Sequence, residues 1–411
     1  MRIEVLNTGT ELLLGSVLNT HLQFLAQALF PLGLRIQRQV TVPDGAAIRE
    51  AVAETFGRAD VVLITGGLGP TTDDITREAV AELLGLELIH DETVMAAIER
   101  RFARRGLTMS PRNRRQAQRP AGATVLHNPY GTAPGLYLPA QPHGTTTTPH
   151  IFLLPGPPRE LQPMVTDQVL PLLEKLMPAR PAVEMRMVRV AGLGESAVEE
   201  LVGQQLLALE LELGYCARPG EVDLRTIGAP DVLARAERII IEKLGPHIVS
   251  HDQRPLEKVL VDLLTERGET LACAESCTGG LLANRITNVP GASAVFLAGY
   301  VTYANAVKTS ALGVDSALIE ADGAVSEPVA AAMAEGARLK AGADYALATT
   351  GIAGPSGGSE EKPVGTVFIA LAGKFGATVV EQHRFPTDRQ TFKDLVTLTA
   401  FNLLRRQLTP R

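Results

Sequence analysis

Short apolar runs alternate with longer amphipathic segments through most of this chain. In its first part, the alternation predicts strands at 1–6, 34–42 and 60–65 and helices at 18–30, 44–56 and 74–84. Strands spaced by helices predict a mostly parallel sheet with helices on both faces. Several short strands follow over 121–155, where the polar segment 141–150 has the composition of a loose hairpin tip.

The pattern changes after Pro178 and Pro181 and changes back near residues 251–255. The segment between predicts a small α+β module, with strands at 184–190, 211–217, 222–227 and 247–250 and helices at 196–202 and 231–244. Alternating α/β patterns resume with a helix at 256–267. We therefore predict three domains: an α/β domain over 1–172, the α+β module over 173–252 and a second α/β domain over 253–411.

The composition excludes several classes of protein. With 411 residues, 45% of them hydrophobic, the chain can bury two or three cores. Its longest apolar runs fall far short of the roughly 18 residues that a membrane span needs. The net charge of −6 gives no reason to expect nucleic acid or an anionic membrane as partner. Three cysteines without paired spacing fit a reducing cytosol, so we expect a cytoplasmic protein.

A strand-like run in the last domain ends in a loop with candidate chemistry. Ser276, Cys277 and Thr278 precede Gly279 and Gly280, and an amphipathic segment follows at 281–287. Amide groups at a helix N-terminus can hold an anionic oxygen, and a hydroxyl there can attack a carbonyl if a base lies beside it. Alone, a serine before two glycines is more often a helix cap than a nucleophile.

Two further segments of the same domain favour the nucleophile. Tyr303 and Lys308 lie five positions apart, and a buried lysine with a lowered pKa can act as the base. Thr350 and Gly351 belong to a second loop that follows a strand and carries free hydroxyls. Cys277 is the rival nucleophile, but neighbours at a helix start point about 100° apart, so only one of the two side chains faces the pocket.

The first domain contains a glycine-rich loop at 65–76, between a predicted strand and a helix. Glycines at this place let the backbone approach a phosphate. The loop lacks the Lys-Ser/Thr of a Walker motif. Asp73 and Asp74 would repel phosphate unless a divalent cation such as Mg²⁺ lies between them. The simpler alternative is that both are acids of the first helical turn, which the helix dipole favours.

Three more loops should lie at the same edge of the sheet, because each follows a predicted strand. Together with the glycine-rich loop they predict a nucleotide pocket formed by Thr8, Thr10, Glu11, Asp44, Gly66, Gly67, Gly69, Thr71, Asp74, Asn128, Gly131, Gly156 and Pro157. Asp44 is also the predicted N-cap of its helix, and Glu11, Asp73 and Asp74 are the predicted metal ligands. A nearby run of arginines contains no acid and is typical of a solvated helical face. Its alternatives are phosphate contacts or contacts with a partner subunit. The arginines lie at 100, 101, 104, 105, 112, 114, 115 and 119.

At these motifs the chain resembles the CinA family of competence/damage-inducible proteins over essentially its whole length. The matching motifs lie at 9–15, 66–76, 128–135, 154–158, 274–280, 303–308, 323–327, 350–355 and 362–367. The resemblance implies an N-terminal three-layer α/β domain like the molybdopterin-binding fold, a KH-like middle module and a C-terminal α/β amidase domain. It also implies hydrolysis of nicotinamide mononucleotide (NMN) to nicotinate mononucleotide and ammonia, and ADP-ribose pyrophosphatase activity in some members. We expect a homodimer.

The resemblance also implies roles for individual residues. Ser276 matches the family's nucleophile, Lys308 its base, and Tyr303 and Thr350 the hydroxyls beside them, whereas Arg389 matches a substrate-contacting arginine. Thr278, Gly279, Gly280 and Gly351 would then line the amide pocket. In the first domain, Asp74 matches the aspartate of the fold's glycine-rich loop. The amidase needs no metal on this interpretation, whereas pyrophosphate cleavage needs a divalent cation.

Two alternatives belong to other classes of protein. The first domain could be a sensor that binds a pterin or nucleotide without hydrolysing it, and the KH-like outline could indicate a competence or DNA-damage adaptor. KH modules clamp nucleic acid with a Gly-x-x-Gly loop, but this chain has Gly192-Leu193-Gly194-Glu195. Residues 180–250 contain 8 Lys and Arg against 11 Asp and Glu, so a phosphate backbone would be repelled.

Overall fold

The computed structural model describes residues 1–177 and 183–409. The chain forms two compact units, Met1–Ala182 and Val183–Arg411. Pro178 and Pro181, where the sequence predicts the start of the middle module, lie outside the described residues. The second unit contains two separate sheets. The boundaries of the three predicted domains stay a prediction.

The first unit is organised around a six-stranded mixed sheet with the order β2-β1-β3-β10-β7-β6. Its strands, with those of two small hairpins, are β1 Ile3–Thr8, β2 Ile36–Val42, β3 Val61–Thr65, β4 Leu88–His90, β5 Gln118–Pro120, β6 Thr124–Leu126, β7 Gly135–Leu138, β8 Pro142–His143, β9 Thr146–Thr147 and β10 His150–Leu154. Strands β2, β1, β3 and β10 are parallel, and β7 and β6 add an antiparallel edge. The predicted hairpin tip at 141–150 is the β8–β9 hairpin.

Helices cover both faces of this sheet. They are α1 Thr10–Leu13, α2 His21–Leu29, α3 Ala46–Ala53, α4 Thr76–Leu84, α5 Glu92–Arg104, α6 Pro158–Met164 and α7 Leu170–Leu176. Alternate residues of β3 enter different cores: Val62 and Ile64 pack against α3 and α4, whereas Val61 and Leu63 pack against α2, α6 and α7. The predicted three-layer α/β architecture is therefore confirmed.

The structure contradicts one local prediction in this unit and excludes one of the alternatives that the sequence left open. Asp44 is not the N-cap of α3, because the helix begins one residue later, after Gly45. Its carboxylate instead accepts hydrogen bonds from the Thr10 amide at 3.0 Å and the Thr10 hydroxyl at 3.1 Å. Asp73 and Asp74 are not acids of the first turn of α4, since that helix begins at Thr76.

The second unit begins with a four-stranded antiparallel sheet of order β12-β13-β11-β14. Its elements are β11 Glu184–Ala191, α8 Glu195–Val198, α9 Gln204–Leu207, β12 Glu212–Arg218, β13 Glu221–Gly228, α10 Pro230–Leu244 and β14 Ile248–Ser250. The α+β character of this module is confirmed. The single helix predicted at 196–202 is instead α8 and α9 joined by a π-helical segment, Glu199–Gly203.

A five-stranded sheet of order β16-β15-β17-β18-β19 follows in the same unit. Its elements are α11 Leu256–Arg267, β15 Leu271–Glu275, α12 Leu281–Thr287, β16 Phe296–Val301, α13 Asn305–Leu312, α14 Ser316–Asp322, α15 Glu327–Ala341, β17 Tyr345–Gly351, β18 Thr366–Gly373, β19 Val379–Arg384 and α16 Arg389–Leu408. Strands β16, β15 and β17 are parallel. Separate cores on the two faces make this a second three-layer α/β arrangement.

No helix within residues 1–177 and 183–409 is both long and apolar enough to cross a bilayer.

Candidate active sites

Ser276 and Lys308 meet at the ends of neighbouring strands in the second unit. Ser276 follows β15, and its amide donates to the Thr349 carbonyl oxygen of β17 at 3.0 Å. Lys308 lies on α13, and its Nζ is 3.3 Å from Ser276 Oγ. The half-buried serine hydroxyl and the lysine amine are thus in hydrogen-bonding contact.

The surroundings of Lys308 make the neutral amine easier to reach than in a solvated lysine. Its side chain is 1% exposed, and its other two partners are the carbonyl oxygens of Thr302 at 2.9 Å and Tyr303 at 3.3 Å. None of its three partners is a carboxylate. Burial therefore lowers the pKa of Lys308, a shift that the nearby Cys277 thiol opposes. A neutral amine can donate to both carbonyls and turn its lone pair towards the serine hydroxyl.

A carboxylate below the loop holds the segment that carries Ser276. Glu275 is fully buried, and its two oxygens accept hydrogen bonds from the amides of Gly280 at 2.9 Å, Leu282 at 3.1 Å and Ala283 at 2.9 Å. The Thr278 hydroxyl donates to the same carboxylate at 2.8 Å. Glu275 therefore occupies the N-terminus of α12 and fixes the loop from inside the fold.

The amides of the two glycines after the nucleophile are already used inside the loop. The amide of Gly280 donates to Glu275, and that of Gly279 donates to the Ser276 carbonyl at 3.2 Å, so neither is free for a substrate. Thr278 is buried, with its hydroxyl between Glu275 and Thr349. Within the described residues, the amides of Cys277 and Thr278 have no partner in another residue and are the remaining donors after the serine.

Cys277 is packed in the core, as predicted. Its side chain is 4% exposed, and burial raises the pKa of its thiol to about 12. A buried thiol is a poor nucleophile, because the thiolate is the reactive form. Of the two neighbours, Ser276 is the one that reaches the surface of the loop.

The remaining predicted residues of this site have more varied positions. Tyr303 is exposed, and its hydroxyl accepts a hydrogen bond from Arg389 Nη2 at 3.0 Å. Arg389 Nη1 also donates to the Gly354 carbonyl at 2.9 Å. The Thr350 hydroxyl donates to the Ala324 carbonyl at 2.6 Å. Gly351 lies opposite Val367 in the sheet, where a Cβ would come within 2.9 Å of the Thr366 carbonyl oxygen.

The sequence did not identify Lys393, a cation beside the nucleophile loop. Lys393 lies one helical turn after Arg389 at the start of α16. Its Nζ is 3.9 Å from the position that a Cβ on Gly279 would occupy. Arg389 and Lys393 are four residues apart at a helix start, and this spacing could have indicated that both side chains lie on the same face of the helix. These two side chains give the edge of the site a positive charge.

The first unit contains a cavity of about 530 Å³ at the carboxyl edge of its sheet. Ten predicted residues line it, namely Thr8, Glu11, Asp44, Gly66, Gly67, Gly69, Asp73, Asp74, Gly156 and Pro157. The glycines allow close approach inside the loop, since a Cβ on Gly69 would lie 2.4 Å from Asp74 Oδ2. Segments that follow four different strands, β1, β2, β3 and β10, therefore converge here.

Four other predicted pocket residues do not line this cavity. Thr10 holds Asp44, and Thr71 donates to Asp74 through its amide at 2.9 Å and through its hydroxyl. Asn128 and Gly131 instead line a second cavity. Asn128 donates to Glu160 at 2.8 Å, and Glu160 itself lines the first cavity. These residues position the wall of the pocket instead of forming its surface.

The acidic cavity also contains residues that the motifs did not indicate. His21, at the start of α2, bonds to the Thr65 hydroxyl at 3.0 Å, and burial lowers the pKa of its imidazole. Glu160 brings the lining carboxylates to five, with Glu11, Asp44, Asp73 and Asp74, and no lysine or arginine is among the described lining residues. A diphosphate entering this cavity would meet only negative charge.

A divalent cation would resolve that repulsion. The described residues contain no ready-made group of three or more His, Cys, Asp and Glu side chains gathered around a metal position. Mg²⁺ is often held by one or two carboxylates together with substrate phosphates. Asp73 and Asp74, with Glu11 in the same cavity, fit a cation that arrives with a phosphorylated substrate.

The arginine run is not a uniformly solvated face, contrary to the favoured interpretation. Arg115 donates to the carbonyl oxygens of Thr71 at 2.8 Å and Asp74 at 3.2 Å and pairs with Glu78, so it holds the acidic loop. Arg119 pairs with Asp91. Four of the other arginines line the second cavity, at positions 100, 101, 104 and 105.

Two protein-family models match this chain, one in each half. Residues 4–175 match the family model described as "Probable molybdopterin binding domain", and residues 253–408 match the "CinA C-terminal domain". The fold and the sites thus define a protein with a molybdopterin-binding-like domain in front of a CinA-type domain.

Relatives of full length support the same grouping. A "CinA-like protein" of Akkermansia muciniphila is 48% identical over 401 residues, 97% of this chain and 96% of its own. A "CinA-like protein" of Geotalea uraniireducens is 39% identical over 417 residues, 99% and 98% of the two chains. These two relatives show that the chain belongs to the CinA family. Over part of its length the chain is also similar to the crystal structure of "competence/damage inducible protein CihA" from Agrobacterium tumefaciens, which is 40% identical and covers 36% of this chain and 92% of its own, with a TM-score of 0.36.

Proposed function

We propose that the C-terminal part of this chain is an amidohydrolase that converts NMN to nicotinate mononucleotide and ammonia. The observation that carries the proposal is the 3.3 Å contact between Ser276 Oγ and the amine of Lys308, a lysine that is 1% exposed and bonded otherwise only to carbonyl oxygens. A serine hydroxyl beside a neutral lysine is a nucleophile with its base.

The first half of the reaction acylates the enzyme. Ser276 Oγ attacks the carboxamide carbon while its proton moves to Lys308 Nζ. The carbonyl oxygen becomes an oxyanion, for which the amides of Cys277 and Thr278 are the available donors. The carbon–nitrogen bond then breaks, and the proton on Lys308 passes to the departing nitrogen, which leaves as ammonia.

The second half returns the serine. A water molecule gives a proton to the neutral Lys308 and attacks the ester carbon, and the proton returns to Ser276 Oγ as the ester bond breaks. The product carries a carboxylate in place of the carboxamide. Tyr303 lies beside the site but its hydroxyl bonds to Arg389, so Lys308 is the more direct proton carrier.

The cations of α16 suit the phosphate of a mononucleotide. Arg389 and Lys393 lie on one face of the first turns of this helix, on the side of the nucleophile loop. Two cations one helical turn apart can make charge-assisted hydrogen bonds to a dianionic phosphate. Free nicotinamide has no anionic group and would gain nothing from these cations. This favours the nucleotide over the free amide as substrate.

Release of ammonia from NMN tests the proposal. We expect turnover by the full chain without added metal, and loss of turnover in Ser276→Ala. Ammonia release that needs a divalent cation, or a fully active Ser276→Ala enzyme, would contradict the mechanism.

We propose a second activity for the acidic cavity, the cleavage of the diphosphate of ADP-ribose with a divalent cation. It is supported by five carboxylates at the mouth of a glycine-rich loop, where a phosphate needs a cation between it and the protein. Asp73 and Asp74 would hold that cation, which would neutralise charge on the phosphates. In this proposal Glu11 and His21, which also line the cavity, would orient the attacking water.

Asp74→Asn tests this second activity against the first. We expect the variant to lose ADP-ribose turnover and to keep ammonia release from NMN, because the two sites lie in separate units. If wild-type protein binds ADP-ribose but never cleaves it with Mg²⁺, the domain is a nucleotide sensor, the alternative that the sequence left open. We further propose a cytoplasmic homodimer without nucleic-acid partners.

A further inference from the structure

A second cavity of about 650 Å³ lies in the first unit, between α5 and the loop after β6. Its rim carries Arg100, Arg101, Arg104 and Arg105, and no carboxylate is among its described lining residues. Its apolar lining, which we call the floor, consists of Val94, Ala97, Ile98, Val125 and Pro134. The cavity thus combines an apolar floor with a cationic rim.

The four arginines of this rim lack the close carboxylate partners that other arginines of the run have. Arg115 and Arg119 pair with Glu78 and Asp91, but within residues 1–177 and 183–409 the rim arginines form no ion pair. Arg100 and Arg104, like Arg101 and Arg105, are one helical turn apart, where like charges destabilise a helix. The negative end of the helix dipole offsets part of this cost, because the arginines lie near the C-terminus of α5. Helix stability alone gives no reason for a cavity next to these charges.

Arg101 fixes one part of the rim in place. Its Nη1 donates to the Pro129 carbonyl at 2.7 Å and its Nη2 to the Tyr130 carbonyl, so its side chain is held at the cavity wall. Its Nε is buried and has no partner among the described residues. Burial and the neighbouring Arg105 lower the pKa of this guanidinium, a shift that Glu160 opposes. The exposed rim arginines that can meet a ligand are therefore Arg100, Arg104 and Arg105.

The two cavities of this unit have opposite charge and share a wall. Thr132 lines both, and Asn128 of the cationic cavity bonds to Glu160 of the acidic one at 2.8 Å. The acidic cavity can take a phosphate only with a cation, whereas the cationic cavity attracts one directly. Because Thr132 lines both cavities, a ligand with two linked phosphates bound there meets both environments.

We propose that the arginine-lined cavity binds the nucleoside monophosphate half of the diphosphate substrate. The phosphate lies on the guanidinium rim, and the face of the base lies on the floor formed by Ala97, Ile98 and Val125. The other half of the substrate extends past Thr132 into the acidic cavity. This assignment rests on the proposed nucleotide chemistry of the domain, but it concerns binding and not cleavage.

Titration calorimetry with AMP, adenosine and inorganic phosphate tests the assignment without added metal. Arg100→Gln combined with Arg104→Gln removes two exposed rim charges that make no hydrogen bond elsewhere in the described structure. We expect AMP affinity to fall by at least about tenfold, since each guanidinium makes a charge-assisted bond to phosphate. Adenosine binding should not change. Ala97→Leu should weaken both AMP and adenosine by filling the floor.

The matched control is Arg112→Gln combined with Arg114→Gln. These exposed arginines belong to the same run and line neither cavity, so the charge change is the same. Equal AMP affinity in the two double variants, or an unaffected Ala97→Leu protein, would overturn the assignment.

A parallel assay of ADP-ribose turnover with Mg²⁺ separates this inference from the proposed activity. Wild-type protein that binds AMP through the rim but cleaves nothing would leave the subsite standing and remove the pyrophosphatase. If wild-type protein cleaves ADP-ribose but the two double variants have equal AMP affinity, the pyrophosphatase stands and the subsite is removed.

Discussion

Lys308 Nζ lies 3.3 Å from Ser276 Oγ, although the two residues belong to different βα units and are 32 positions apart. The sheet makes this contact possible, because β15 and β16 are parallel neighbours and end side by side. Ser276 follows β15, and Lys308 is on the helix after β16. The base is therefore positioned by the topology of the sheet and not by the loop that carries the nucleophile.

The first prediction compares three variants of this pair. Ser276→Ala and Lys308→Met should each lower the rate of ammonia release from NMN by at least about 10³-fold, and the double variant should lose little more, because the two residues act as one unit. Cys277→Ala should keep most of the activity, since that thiol is packed in the core.

Cys277→Ala is also the control for misfolding, because it changes the same loop. An inactive Cys277→Ala enzyme beside an active Ser276→Ala enzyme would make the thiol the nucleophile. If Ser276→Ala and Cys277→Ala are both folded and active, neither residue is the nucleophile and water attacks the amide directly.

The second prediction concerns pH. Catalysis needs the neutral amine, so kcat/KM for NMN should rise with pH to a plateau set by Lys308. The midpoint should lie below the value of about 10.4 that a solvated lysine shows, because burial lowers the pKa of Lys308. A midpoint at or above that of free lysine would contradict the assignment.

The same shift makes stability depend on pH. Between the lowered folded pKa and the unfolded value of about 10.4, the unfolded chain binds more protons, so the free energy of unfolding should rise with pH. Below that window the penalty of a buried ammonium is fully present. The difference between wild type and Lys308→Met in urea melts should show this slope, and exposed Lys340→Met is the control for removing a lysine charge.

The third prediction concerns Glu275. Glu275→Gln replaces one acceptor oxygen by an amide donor that faces backbone N–H groups of α12. We expect a loss of about 1–3 kcal/mol in the free energy of unfolding, together with a lower kcat at similar KM, because the serine loses its fixed position. Exposed Glu320→Gln is the control for the same chemical change. Unchanged kcat in a Glu275→Gln enzyme would show that the loop needs no such support.

The fourth prediction concerns Lys393. Lys393→Met should lower kcat/KM for NMN by roughly ten- to a hundredfold, the range expected for one charge-assisted bond to phosphate. Nicotinamide riboside has no phosphate and should be converted equally well by wild type and variant. Exposed Lys340→Met again provides the control. Equal losses for the two substrates would place Lys393 outside the phosphate site.

The layered architecture could be predicted from the sequence because it depends on short-range patterns. The helices predicted at 256–267 and 281–287 have the same bounds in the structure. The alternation of buried residues in strands such as β3 gives the two faces of the sheet directly. The order of glycine, hydroxyl and lysine motifs was also enough to suggest that Ser276 and Lys308 meet.

Features that depend on distant partners were missed. Asp44 has the sequence context of an N-cap, but Thr10, 34 positions away, supplies its hydrogen bonds. Nothing in the sequence shows that the Glu275 side chain turns beneath its own loop. The arginine run has one composition but three kinds of surroundings, which only the tertiary packing of α5 and of the segment after it distinguishes.

The buried Glu275 carboxylate has a consequence for inhibitor discovery. Four internal hydrogen bonds already order the nucleophile loop, so a ligand does not have to restrict its conformational entropy on binding. Free and ligand-bound forms should superpose closely over residues 275–283. Small electrophilic fragments that lack the ribose phosphate could therefore modify Ser276 rapidly, even though little affinity holds them in place.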